Sequence, residues 1–149
     1  NKNFVSVHAR LGDFKGHCIG KNSSFCYIEK KTYLKFFNLI CKNSNSNVFV
    51  LSNEIFNSTA SVFYLDEIFL QSFLMKNKLL NNNCMFDNIK YTKLFIEMII
   101  SCYSKTFYYN EFSTLSRSIM SHCKFIGVVP EFVSIEKALI NTFSHISTS

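Results

Sequence analysis

The sequence predicts an α/β domain built on a mainly parallel sheet. Two observations carry this. Short apolar, β-branched or aromatic runs alternate along the chain with longer runs whose apolar residues recur at helical spacing. In addition, "VFVLS" (48–52) is apolar almost throughout, as a strand covered on both faces requires.

The elements follow in order. Residues 3 to 9 form a first strand, with Phe4, Val5 and Val7 apolar. A loop runs to about residue 25. The segment 27–42, "YIEKKTYLKFFNLICK", places Tyr33, Phe36, Phe37 and Ile40 on one helical face. "NSNSN" (43–47) is a turn into the strand 48–52. Residues 60 to 75 read as a helix, and "KLLNNNCMF" (78–86) as a short strand and a loop. The strongest helical pattern is 87–104, with Asp87 as N-cap and Tyr91, Phe95, Met98, Ile99 and Cys102 as its apolar face. "TFYYN" (106–110) is a strand, Ser113 caps a helix to His122, and "KFIGVVP" (124–130) is a strand closed by Pro130. Residues 133 to 144 form a final amphipathic helix. There is no internal repeat and no linker, so residues 1–149 are expected to be one domain.

The composition agrees with a globular chain. Of the 149 residues 48% are hydrophobic and 17% charged, which excludes a disordered segment. The net charge of +6 suits a nucleic acid, an anionic membrane or a phosphorylated ligand. The lysines are scattered and form no basic block, so nucleic acid is not expected as a partner. No apolar run reaches the roughly 18 residues of a membrane helix. The chain begins with Asn and its first strand starts at once, so it is read as a piece of a longer protein.

Six cysteines are present without a C-x-x-C pair, which gives zinc or thioredoxin-like chemistry little support. Cys18 and Cys26 flank the polar loop "CIGKNSSFC" and are either a disulfide or two free thiols. Cys102 reads as a core residue. Asn22 and Asn57 begin N-x-S/T patterns, which also arise by chance in an Asn- and Ser-rich chain. Together these features lean toward the lumen of the endoplasmic reticulum or Golgi, although the chain contains no targeting segment.

Two clusters carry candidate chemistry. "VSVHARLGDF" (5–14) ends a strand in His8, Arg10, Gly12 and Asp13. Ligands of open α/β sheets bind beyond the carboxyl ends of strands. Arg10 offers a planar fork suited to phosphate, His8 a ring that can hold a ribose hydroxyl or a phosphate oxygen, and Gly12 a tight turn. Arg10 paired with Asp13 as a structural ion pair is an equal alternative. Asp13 beside Arg10 would be a weak base, so its expected role is to brace the loop. "EFSTLSRS" (111–118) follows a strand and opens a helix, whose unpaired N–H groups attract phosphate, with Ser113, Thr114 and Ser116 adding hydroxyls. Capping by Ser113 explains the same residues without a ligand.

These residues also carry a resemblance. "VSVHARLGDF…C" resembles the His-x-Arg-x-Gly-Asp motif of the GDP-fucose-dependent fucosyltransferases, most closely the protein O-fucosyltransferase superfamily. Members of that family follow the motif with an acidic residue on a helix, then an aromatic strand often ending Gly-Asn, then Ser-Ser/Thr-Phe-Ser/Thr. Here Glu97, "TFYYN" and "STLS" stand in that order, and "NVFVLSNE" is similar to the family's strand ending in Ser/Thr-Asp. The likeness covers islands between about residues 3 and 125. The chain departs from the pattern at Asn53 and Glu97, where Asp is usual, at Tyr109 in place of Gly, and at Leu115 in place of Phe.

The resemblance implies a Rossmann-like domain equivalent to the C-terminal, donor-binding lobe of a two-lobed GT-B glycosyltransferase, the N-terminal lobe lying outside this chain. It implies transfer of fucose from GDP-fucose to an acceptor hydroxyl, on a protein Ser/Thr or a glycan, with inversion and with no metal or other cofactor. Arg10 would be catalytic, neutralising charge on the departing diphosphate. His8, Gly12, Ser113, Thr114 and Ser116 would hold the donor, and Glu97 would contact guanine through its N1–H and exocyclic amine. Any acceptor base and any membrane anchor would come from the missing part. A GDP-binding or interaction domain without catalysis is the alternative.

Overall fold

A computed structural model describes residues 3–21, 23, 25–54, 56, 61–77 and 85–146, with the backbone alone described for 85–88 and 143–146. Five strands form one sheet: β1 (Phe4–Ala9), β2 (Asn47–Ser52), β3 (Val62–Tyr64), β4 (Thr106–Tyr109) and β5 (Glu131–Ser134). Every pairing is parallel and the order is β3-β2-β1-β4-β5. Six helices complete the described fold: α1 (Phe14–His17), α2 (Lys30–Ser44), α3 (Glu67–Lys76), α4 (Met85–Cys102), α5 (Thr114–Ile126) and α6 (Ile135–Ile146). The α/β class with a parallel, Rossmann-like sheet is thus the observed one. Among the described residues no helix is long and apolar enough to cross a membrane.

Strand alternation divides the core. Val5, Val7 and Ala9 of β1 pack with Tyr33, Phe36, Phe37 and Ile40 of α2 and with Ile135 and Leu139 of α6. These four α2 residues are the face that the helical spacing predicts. On the other side Phe49 and Leu51 of β2 join Phe107 of β4, Cys102 of α4, and Ile119 and Cys123 of α5. Ser6 and His8 are both buried and, being out of phase with Val5 and Val7, turn toward α4 and α5. A polar pair on that face is where the hydrophobic pattern yields to a site.

Four expectations need correction. The span 60–75 is not one helix: β3 occupies Val62–Tyr64 before α3 begins. It is a three-residue edge strand with Phe63 exposed, too short to show alternation. Asp87 lies inside α4, which starts at Met85, and so is no N-cap. Tyr91 and Phe95 are exposed, while Ile89, Glu97, Ser101 and Cys102 take the buried positions of that helix. "KFIGVVP" is not a strand: residues 124–126 end α5, Gly127 closes it at φ 76° in the left-handed region, and β5 begins after Pro130. The expected short strand in 78–86 lies outside the described residues except for the start of α4, and so do Asn22 and Asn57.

Two disulfides are formed, Cys18–Cys26 and Cys102–Cys123. The first settles the alternative left open for Cys18 and Cys26 in favour of a disulfide. The second joins α4 to α5 through two buried residues, so Cys102 is a cross-link as well as a core side chain. Its partners are 21 residues apart, and closing such a loop constrains the unfolded chain by about 3 kcal/mol. Replacing Cys102 and Cys123 together by Ala is therefore expected to lower unfolding stability by about 2–4 kcal/mol in non-reducing denaturant titrations. Unchanged midpoints, or peptide mapping that pairs either cysteine elsewhere, would reject this pairing.

Candidate functional site

The strand order places a topological switch between β1 and β4. From β1 the chain crosses to β2 on one side, and from β3 it returns to β4 on the other. Connections diverging from two neighbouring strands leave a crevice at their carboxyl ends. His8 and Arg10 stand at the end of β1, and Asn110 at the end of β4.

Three polar residues tie this crevice together. Ser116 Oγ lies 2.7 Å from His8 Nδ1 and accepts the Asn110 N–H at 3.1 Å. The Ser116 hydroxyl, which accepts that N–H, can also donate to Nδ1 when the His8 proton is on Nε2. Burial, with the Arg10 charge second, holds the His8 imidazole down at about 4, so it is neutral at physiological pH. Asn110 also caps its own turn by accepting the Phe112 N–H at 2.8 Å, and donates Nδ2 to the Cys26 carbonyl at 3.4 Å. The disulfide loop, β1, β4 and the start of α5 thus meet at one buried junction. Tyr33 lies beneath it, and burial pushes its phenol well above its usual range.

Arg10 emerges from this junction toward solvent. It is 3.2 Å from Asp13, and its guanidinium lies 5.9 Å from the Phe14 ring centre. Asp13 is largely exposed, and an ion pair so placed is worth about 1 kcal/mol or less. The brace is therefore present but weak, and does not withdraw Arg10 from the crevice. Gly12 follows at φ 67°, and a Cβ there would come within 3.2 Å of Asn53 Nδ2. Asn53 explains the crowding: its Oδ1 accepts the Leu11 N–H and its Nδ2 donates to the Leu11 carbonyl, each at 3.3 Å. An aspartate could accept the first bond but could not donate the second. Asn at this position is thus matched to holding the loop.

Two clefts open on either side of Arg10. The first, about 480 Å³, is lined by Arg10, Ser113, Thr114 and Leu115, with Phe14, His17, Lys21, Cys26, Glu111, Phe112 and Arg117. The start of α5 faces it. Ser113 Oγ accepts the Ser116 N–H at 3.5 Å, so the Thr114 and Leu115 amides are the first-turn N–H groups left without a helical partner. The second cleft, about 250 Å³, is lined by His8, Arg10, Asn53, Glu67, Lys90, Lys93 and Glu97 beside Leu51, Ser52, Leu94 and Leu115. Glu97 is almost fully buried, with Lys93 Nζ 2.8 Å from its Oε1. The two form a close, largely buried ion pair. Burial raises the carboxyl pKa, against the opposing effect of Lys93.

Of the residues singled out in the sequence, Arg10, Ser113 and Thr114 meet in the first cleft, and His8, Arg10 and Glu97 in the second. Ser116 is buried and lines neither; its work is to hold His8. Gly12 serves the turn. Tyr109 packs against the α4–α5 core and lines neither cleft, whereas Leu115 lines both. Sequence reasoning did not single out Asn110, Lys93, Lys21 or Arg117 as site residues. Asn110 ends the strand just before the Ser113 cluster, and Lys93 precedes Glu97 by one helical turn, which was the available signal. No protein-family model matches the chain, and no curated protein matches it.

The buried imidazole makes stability depend on pH. Unfolded His8 binds a proton near 6.5 and folded His8 near 4. Above both values the ring is neutral in either state and its contribution is complete. As pH falls through the window the unfolded chain takes the proton first, and stability drops by about 2 kcal/mol between pH 7 and pH 5. His8→Gln should remove that portion of the slope in urea titrations across this range. A variant with the wild-type slope would show that His8 does not titrate as described.

Proposed function

We propose that this domain binds GDP-fucose and is the donor-binding half of a fucosyltransferase that modifies an acceptor hydroxyl, with a protein Ser/Thr as the leading acceptor and a glycan as the alternative. One observation carries the reading: Arg10 stands between a cationic cleft faced by a helix N-terminus and a second cleft that holds a buried carboxylate. A nucleoside diphosphate needs both surroundings. Its pyrophosphate suits the α5 amides and the Arg10 fork, and a guanine edge rich in N–H suits Glu97. The motif resemblance supplies the sugar and the inverting chemistry.

In this reading fucose departs from the β-phosphate as the acceptor oxygen attacks. Negative charge grows on the diphosphate, and Arg10 stabilises it most at the transition state. His8, neutral and with Nδ1 occupied by Ser116, offers Nε2–H as a donor to the ligand without changing charge. The Arg10–Asp13 contact at 3.2 Å favours a second reading, in which Arg10 braces the loop and the domain binds nucleotide without transferring sugar.

GDP at millimolar concentration is expected to raise the melting temperature of the domain more than UDP or ADP does, because a ligand of the native state stabilises it. Equal shifts, or none, would count against nucleotide recognition. In the longer protein, Arg10→Lys should lower turnover about a hundredfold while changing GDP affinity much less, since Lys lacks the bidentate fork. Full fucosyl transfer by Arg10→Ala would leave the catalytic assignment without support, and a GDP-binding but inactive longer protein would favour the second reading.

A further inference from the structure

Lys93 and Glu97 share one face of α4, one turn apart, and both line the second cleft. Their side chains are only 16% and 6% exposed. An exposed pair at this spacing adds little stability, and burying one costs the hydration of both charges. Stability is thus a poor reason for placing them here. What the pair provides is chemistry: a group that only accepts hydrogen bonds beside a group that only donates them, the two 2.8 Å apart. Leu51, Leu94 and Leu115 supply apolar walls around them, suited to a flat ring.

Such a pair fits a planar edge on which N–H donors adjoin a carbonyl oxygen. Guanine has this edge, with its 2-amino group and N1–H followed by O6. Adenine presents an acceptor at N1 and an amine at position 6, so both groups of the pair would face the wrong partner. Uracil has its N3–H between two carbonyls, one of which would oppose the carboxylate. We propose that Lys93 is a second base-reading residue, its ammonium donating to the 6-oxo oxygen of a guanine whose N1–H and 2-amino group donate to Glu97. This rests on the proposal that the domain binds GDP. Lys93 then selects the oxo base directly, and its charge opposes the rise that burial causes in the Glu97 pKa.

Calorimetric titration with GDP, inosine diphosphate and 6-thioguanosine diphosphate tests this. The thio nucleotide keeps N1–H and the 2-amino group but replaces O6 by a weak acceptor, while the inosine nucleotide keeps O6 and lacks the amine. Wild-type protein should bind GDP about tenfold or more tighter than the thio nucleotide. Lys93→Met should weaken GDP and abolish that preference, yet keep the preference for GDP over inosine diphosphate, which reads Glu97. Lys93→Arg, which restores a donor, should recover at least part of the oxo preference, a rescue that a purely structural role would not give. If wild-type protein binds GDP but treats the thio nucleotide equally, or if Lys93→Met keeps the full oxo preference, Lys93 does not read the base. If wild-type protein binds none of the three, the GDP reading itself falls.

Discussion

The site depends on one buried hydrogen-bonded junction, in which the Ser116 hydroxyl joins the His8 ring to the Asn110 backbone. It connects positions 108 residues apart and holds the ends of β1 and β4 against the first turn of α5. A neutral imidazole is what permits this. A charged ring would be costly to bury beside Arg10. Arg10 lies two residues beyond His8, and Ser113 three before Ser116, so the junction also sets where the guanidinium and the helix amides stand. Sheet topology supplies the crevice, and this network gives it a fixed shape.

Around the junction the charges are divided by environment. Arg10, Lys21 and Arg117 line the larger first cleft, which gathers the cations around the start of α5. Glu97 and Lys93 line the smaller second cleft with both side chains largely buried. Asn53 serves the frame. Its amide bonds both backbone groups of Leu11, and it does so because it is not an aspartate.

Where burial is apolar and regular, the sequence was easy to read. Tyr33, Phe36, Phe37 and Ile40 recur at helical spacing and form the buried face of α2. The same logic chose the wrong face of α4, because that helix turns Glu97 and Ser101 inward and leaves Tyr91 and Phe95 in solvent. Hydrophobic periodicity finds the core, and here the buried side is partly a polar cleft. At the end of α5, Phe125 is 89% exposed, so "KFI" imitates a strand while Gly127 ends a helix. His8, Arg10, Ser113 and Ser116 stood out as residue types in suggestive places. That Ser116 bonds to His8, and that Lys93 and Glu97 share a cleft with Arg10, is a matter of long-range contact that local pattern does not encode.

The Cys102–Cys123 bond adds a mechanical consequence. Lys93 and Thr114 each lie nine residues from the cysteine of their own helix, about 13 Å along its axis. The bond therefore pins α4 and α5 at one end, while the groups that face the two clefts stand at the other. A pinned pair of rods cannot slide apart. At the cleft end α5 is held a second time, by the Ser116 contacts with His8 and Asn110. The bond is thus the far anchor of a helix whose near anchor is the buried Ser116 junction.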